Sequence, residues 1–311
     1  MAYAAAYSLY NYRFHNSSIG YDEYSNLRLI RAFEHGLDPK SSEAGFILTH
    51  VDMVKHSSGL VKGAVDLLSS VSQADHAGIK HSYELLLETM RAVEASMETM
   101  WTNSRPKDYI SYRTFIFGIT NQSMFPEGVV YQGQNDGKPM SFRGESGAND
   151  AMIPLLDSLL QVPMPPNPLT EILKDFRSYR PKPHRDFLAA VRAEAEAVGV
   201  RQQSCKDTDT AVLYLRLLDH VRSFRWRHWL FAREYIIRRT SHPTATGGSP
   251  IIRWLPNQLF AVMELMQSVW EVVRAGGVEV EKHMVDMMEN VAEQREKLKV
   301  EVERWCDERK Q

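Results

Sequence analysis

The chain has 311 residues, 43% hydrophobic and 24% charged, a balance typical of soluble globular proteins and outside the disordered range. Thirty-seven basic against thirty-nine acidic side chains leave a formal charge of -2, which removes the electrostatic case for a nucleic-acid or anionic-membrane partner. Cys205 and Cys306 are too few and too distant for a disulfide scaffold or a CxxC pair. No apolar run reaches the ~18 residues of a membrane span. The opening MAYAAAYSLYNYRFHN lacks the basic start and long apolar core of a signal peptide, so a cytoplasmic location is expected.

Residues 1–40 form a tyrosine-rich arm (Tyr3, Tyr7, Tyr10, Tyr12, Tyr21, Tyr24) with one short helical candidate over 22–34. Such an arm either covers another surface with its amphipathic rings or is a partly ordered terminus. Residues 41–275 read as one helical domain. Ser42 is placed to cap a helix whose apolar positions run from Phe46 to Leu68 at helical spacing. A second long helix is expected over 75–102, ended by Arg105-Pro106. Residues 121–147, with five glycines and two prolines, form an irregular connection of the kind that tends to be functional. Helices resume at 149–161, 168–178, 182–198 and 208–239, and a glycine-bearing loop at 240–250 leads to one over 256–274. Gly276-Gly277 sets off residues 276–311, a charged helix over 278–309 that either packs on the domain by one apolar stripe or extends to another subunit. Strand-like runs are confined to 114–119 and 129–131. The class is all-α.

Eleven histidines invite a metal, but HExxH and zinc-spaced Cys/His clusters are absent, as are GxSxG, a Walker loop and GxGxxG. Two histidines stand apart. His228 lies in VRSFRWRHWLFAREYIIRR with Arg225 one turn before it on the same face. An imidazole ligand to haem iron beside a guanidinium for a haem propionate needs this combination; a buried core histidine with a hydrogen bond is the plainer alternative. His50 follows Phe46 by four residues, so an aromatic ring and an imidazole share a helical face, which suits an aromatic ligand bearing N–H or O–H as well as an ordinary core position. FRGESGAND offers backbone amides and the Ser146 hydroxyl ahead of a helix, and TATGGSP has two adjacent glycines suited to a loop that closes over a ligand; either is also an ordinary turn.

Taken in order, these segments resemble the haem-dependent aromatic oxygenase superfamily of indoleamine 2,3-dioxygenase and tryptophan 2,3-dioxygenase, over about residues 42–260. FILTHVDMV is similar to the distal helix of the tryptophan enzymes, with Phe46 on the aromatic wall and His50 at the distal histidine; the indoleamine enzymes carry serine there. DYISYRTFIFG resembles the substrate segment of both, with Arg113 at the carboxylate-binding arginine and Tyr109 in the pocket. GVVYQGQNDGKPMSFRGESGAND and FRSYRPKPHRDFL resemble the indoleamine enzymes, WRHWLFAREYI their proximal helix, and TATGGSP their GTGGS/T loop. Ala245 replaces that loop's first glycine and Arg180-Pro181 replaces a Met-Pro; the resemblance also leads us to expect no counterpart in this sequence to the large N-terminal domain of the indoleamine enzymes, and a C-terminal helix additional to theirs.

The resemblance implies a helical bundle enclosing haem b, with His228 on the iron and Arg225, Gly247 and Gly248 on the cofactor. It implies a substrate held by Phe46, Tyr109, Arg113, Ser146, Gly147 and Thr246, and His50 as the catalytic distal residue. The expected reaction is oxygenation by O2 of the indole ring of L-tryptophan or a derivative, opening it to N-formylkynurenine. Insertion of one oxygen atom into an aromatic amino acid by a haem monooxygenase or tailoring enzyme is the alternative, and a haem or gas sensor a third. A homo-oligomer is expected, with no nucleic acid or membrane.

Overall fold

The N-terminal arm pairs as two short strands where the sequence suggests a helix. In the computed structural model, which describes residues 8–144, 150–240, 251–276 and 281–309, β1 (Tyr12–Phe14) runs antiparallel to β2 (Leu27–Leu29), with Tyr12 opposite Leu29 and Phe14 opposite Leu27. The expected helix over 22–34 is replaced by a 3-10 turn and β2. Leu27 and Leu29 are buried on either side of Arg28, a period of two that a short window does not separate from one helical turn. They face α1 (Ser42–Val54). The Glu43 carboxylate, fully buried in the first turn of α1, accepts the backbone N–H groups of Phe33, Glu34 and His35 at 2.7, 2.9 and 2.9 Å, so the arm is tied to the helical body of its own chain.

The single helix expected after Ser42 is two. Ser41 caps α1, its Oγ accepting from Ala44 N at 3.2 Å, while the Ser42 hydroxyl donates to Asp108 at 2.6 Å. The chain breaks at Lys55-His56 before α2 (Ser57–Ser72). His56-Ser57-Ser58-Gly59 are weak helix formers, and Gly59 meets the next helix, where a Cβ would lie 2.5 Å from Thr89 Oγ1. That helix, α3 (His76–Glu98), is capped by Asp75, and a separate turn, α4 (Met100–Asn103), completes the expected 75–102 span.

The strand-like run at 114–119 is overturned: α5 (Tyr109–Ile116) takes its first residues, because Tyr109, Tyr112, Arg113 and Ile116 form one buried helical face. At 129–131 only Val129 pairs, in an isolated bridge to Met140. Then come α6 (Met152–Leu159), α7 (Pro168–Ser178, capped by Asn167), α8 (Lys182–Val198) and α9 (Val200–Ser204). The Asp207 carboxylate caps α10 (Thr208–Phe231), accepting from Thr210 N at 3.0 Å. Regular α-helix ends at Phe231, short of the expected 239, and a π-helical segment continues over Ala232–Ile237. α11 (Ile251–Ala275) starts before the expected 256 and carries Pro256 inside it; α12 (Lys282–Arg309) closes the chain.

α10 is the axis, with α3 and α11 packed on it, α2 on α3 and α12 on α11. The charged helix α12 buries Met284, Met288, Val291 and Leu298. Its Glu301 accepts from Trp229 Nε1 at 2.9 Å and Arg233 at 2.6 Å, and Arg309 donates to the carbonyls of Ile237 and Thr240. α12 therefore braces the end of α10 and the π segment. Among the described residues, no helix is long and apolar enough to cross a membrane.

Candidate active site

A cavity of about 340 Å³ lies where α1, α6, α7, α10 and α11 converge. The last two turns of α10 give it Phe224, Arg225, His228 and Trp229, and the π segment adds Ala232, Tyr235 and Ile236. A π segment widens a helix by one residue per turn and re-aims the side chains beyond it, which is why such segments gather at functional sites. Tyr235 is fixed there by hydroxyl donation to the carbonyls of Ser104 and Met100, and burial pushes its pKa up to about 12. Its phenol is a rigid neutral wall.

His228 combines two properties. It keeps accessible surface, yet burial among protein atoms lowers its imidazole pKa. Both hold because the surface it shows lines the cavity. No described residue hydrogen-bonds its ring, so the core-histidine reading, which requires such a bond, finds no support. A neutral imidazole with an unfilled ring nitrogen is left facing a hollow.

α1 supplies the second wall. Gly45 lets it press on Asn103, where a Cβ would come within 1.8 Å of the carbonyl oxygen, and Asn103 Nδ2 donates to Thr49 Oγ1 at 3.0 Å. This approach sets Phe46 and His50, four residues apart, on the cavity. The Phe46 ring lies 5.1 Å from that of Tyr109 and 6.0 Å from that of Tyr112, and Tyr109 meets Tyr235 edge-on at 5.7 Å. The result is an aromatic corner built from α1, α5 and the π segment. His50 Nε2 is buried 3.9 Å from Asp150 Oδ2, too far for a hydrogen bond, and has no partner among the described residues.

The charged end of the cavity was only partly legible. Arg225, expected on a propionate, donates through Nη2 to both Asp157 oxygens at 2.8 and 2.7 Å and through Nη1 to the Gln258 carbonyl at 3.0 Å. Burial pushes the Asp157 carboxyl pKa up, and Arg225 and Arg177 pull it back. Arg177, in the last turn of α7, and Arg180, two residues past its end, also line the cavity. The signal for Asp157 was one acid inside MIPLLDSLL, a helix whose other residues are apolar except Ser158.

Phe46, His50, Tyr109, Arg225 and His228 thus share one cavity. Arg113 does not line it: the side chain is 3% exposed, with its guanidinium 4.6 Å from the Phe117 ring centre, one turn beyond Tyr109. Burial lowers its pKa and Tyr109 offsets this. Ser146, Gly147, Thr246, Gly247 and Gly248 lie outside the described residues.

The donor set fits a haem. No group of three or more His, Cys, Asp or Glu side chains placed to hold a metal occurs among the described residues. One unbonded imidazole on an apolar, aromatic cavity with guanidiniums at one end suits a metal that brings its own planar ring ligand and carboxylates.

Comparison with known proteins agrees. The family model for indoleamine 2,3-dioxygenase matches residues 1–300, further at both ends than the motifs at 42–260. The indoleamine 2,3-dioxygenase of Saccharomyces cerevisiae is 25% identical over 228 residues, which cover 68% of this chain and 48% of the yeast protein. The 6-hydroxytryptophan 2,3-dioxygenase of Fusarium equiseti is 25% identical over 154 residues, 49% of this chain and 37% of its own. Indoleamine 2,3-dioxygenase 1 of Rattus norvegicus is 22% identical over 230 residues, 72% of this chain and 54% of the rat protein. The chain spans about half the length or less of these curated relatives. With the match running over nearly all of its residues, the chain belongs to the indoleamine 2,3-dioxygenase family.

Proposed function

We propose that this chain is a haem-dependent oxygenase that uses O2 to open the indole ring of L-tryptophan or a tryptophan derivative at the 2,3-bond. The observation that carries the reading is the unbonded His228 imidazole on an aromatic-walled cavity in a chain of this family. The Fusarium relative's name records a hydroxylated tryptophan, so a ring-substituted indole belongs to the proposed class.

His228 would hold the iron as a neutral imidazole, the form its burial favours. A bound ferrous haem supplies an open position for O2 and the capacity to activate it. Phe46 and Tyr109 would flank the indole from one side, and the fixed tilted contact between their rings, 5.1 Å between centres, leaves it few orientations. His50 would bond the indole N–H, filling a polar requirement that no described residue meets. Arg113 would take the substrate carboxylate once its guanidinium swings from Phe117 toward the cavity, with Thr246 near the ammonium. Holding both reactants together and away from bulk water is the protein's main contribution to rate.

Mass spectrometry of a reaction of ferrous protein, tryptophan and 18O2 tests the proposal. Two labelled atoms in an N-formylkynurenine-type product support it; one atom moves the assignment to a monooxygenase, and no turnover with any aromatic amino acid removes it. Arg113→Ala should raise KM by roughly ten- to a hundredfold, the worth of a charge-assisted pair, with hemin content unchanged. An unaltered KM would take Arg113 out of the site. His50→Ala should lower kcat by up to about a hundredfold through misorientation of the ring, again with the haem retained; loss of haem would show that His50, not His228, holds the iron. Self-association, implied by the resemblance, is read by sedimentation of the holoprotein.

A further inference from the structure

We propose that Glu301, on the C-terminal helix α12, is a positioning residue for His228: by fixing the Trp229 ring it sets the wall from which the imidazole projects. The inference rests on the reading of His228 as the iron ligand.

A histidine that holds a metal is ordinarily oriented by a hydrogen bond from its second ring nitrogen. No described residue gives His228 that bond, and burial is the one influence on its imidazole, so its direction depends on the packing of the helix that carries it. Trp229, the next residue, is 1% exposed and lines the same cavity. Its Nε1 donates to Glu301 Oε2 at 2.9 Å, while Glu301 Oε1 accepts from Arg233 Nη1 at 2.6 Å. One carboxylate thus grips both sides of the junction where α10 passes into the π segment.

α12 has no need of this acid for its own packing. Leu298, Glu301, Val302 and Trp305 share one face at helical spacing; Leu298 is fully buried, and Val302 and Trp305 pack against the core. A carboxylate on the packed stripe of a helix is costly unless it is paired. Glu301 is paired twice, and both partners flank the end of α10. The family-model match ends at residue 300, one position before it, so the contact comes from just outside the shared pattern.

The two partners do not depend on Glu301 equally. Arg233 also donates to Glu234 at 3.0 Å and keeps that acceptor if Glu301 is lost. The Trp229 indole N–H, donor only, would be left buried without one, and its ring would tilt to find another. Tilting takes volume from the cavity and loosens the turn that aims His228.

Apo-protein titrated with hemin and followed at the Soret band tests the role in wild type, Glu301→Ala, Glu301→Gln, Trp229→Phe and the Glu301→Ala/Trp229→Phe pair, with urea unfolding of each. Glu301→Ala should lose about tenfold in hemin affinity, the lower end of what residues that orient a metal ligand contribute. Glu301→Gln keeps a carbonyl oxygen for the indole N–H and should bind hemin nearly as wild type does, although its ion pair with Arg233 is gone. In the Trp229→Phe background there is no N–H to hold, so Glu301→Ala should change hemin affinity by less than about twofold. Glu301→Leu guards against a folding artefact: it fills the space, offers no acceptor, and should match Glu301→Ala toward hemin. A Glu301→Ala or Glu301→Leu protein with wild-type hemin affinity overturns the role, and a lower urea midpoint beside that affinity would make Glu301 a structural brace alone. Loss in Glu301→Gln as large as in Glu301→Ala, or an undiminished loss in the Trp229→Phe background, also overturns it by routing the effect away from Trp229. Each of these results leaves the proposed function standing, whereas wild-type protein that develops no Soret band removes the function and the role together.

Discussion

Hemin titrated into His228→Gly protein is expected to give no saturable Soret band at concentrations that saturate wild type, a loss of more than about a hundredfold in affinity. The magnitude follows from position: residues that only orient a metal ligand cost ten- to a hundredfold when removed, and His228 is the proposed ligand itself. Free imidazole should restore the band, because the deleted ring leaves a space of its own shape beside the cavity. Folding should survive. The His228 ring makes no hydrogen bond to a described residue, and the main local cost is glycine's low helix propensity in the last turn of α10, about 1 kcal/mol. His228→Ala avoids most of that cost and should behave alike toward hemin. A variant that binds hemin as wild type does, with or without imidazole, would remove His228 from the iron and leave the cavity without its proposed ligand.

The sequence was legible where a residue type was improbable in its surroundings. A histidine inside FRWRHWLF and a phenylalanine four residues before His50 were readable as a face, and both lie on the cavity. The boundaries of α7 and α8 were also legible, because Asn167-Pro168 opens one and Gly199 in a left-handed conformation closes the other. What was not legible depends on pairing across the fold. Arg225 looks like a free cation in one dimension, and only the packing of α6 against α10 shows that Asp157 has taken it. Arg177 lies in the last turn of α7 and Arg180 two residues past its end, and nothing local in the sequence says that either turns toward a hollow. The π segment is likewise a consequence of tertiary fit, and AREYII carries no breaker that would announce it. The arm's path is illegible for the same reason: three hydrogen bonds to the buried Glu43 carboxylate, not the propensities of residues 22–34, decide it.

Those three bonds carry the second large effect. Glu43→Ala should destabilise the protein by about 2–4 kcal/mol, since it removes a charged acceptor from three backbone donors and leaves them only partial access to water. The loss should be graded by chemistry. In Glu43→Gln one oxygen remains, while the amide nitrogen would face N–H groups as a donor; if the oxygen keeps the Oε2 position it still serves Glu34 and His35 and forfeits Phe33 alone. Urea unfolding should therefore rank wild type above Gln and Gln above Ala. The consequence reaches the site, because the arm tied down by Glu43 carries Ser8 to the cavity wall and buries Leu27 and Leu29 against α1, the helix that presents Phe46 and His50. Limited proteolysis should accordingly cut Glu43→Ala within residues 8–40 well before the helical body, and hemin affinity should fall along with the arm's protection. Uniform proteolysis along the whole chain, or an unfolding midpoint equal to wild type, would mean that the arm is held by its apolar strand and that the buried carboxylate contributes little.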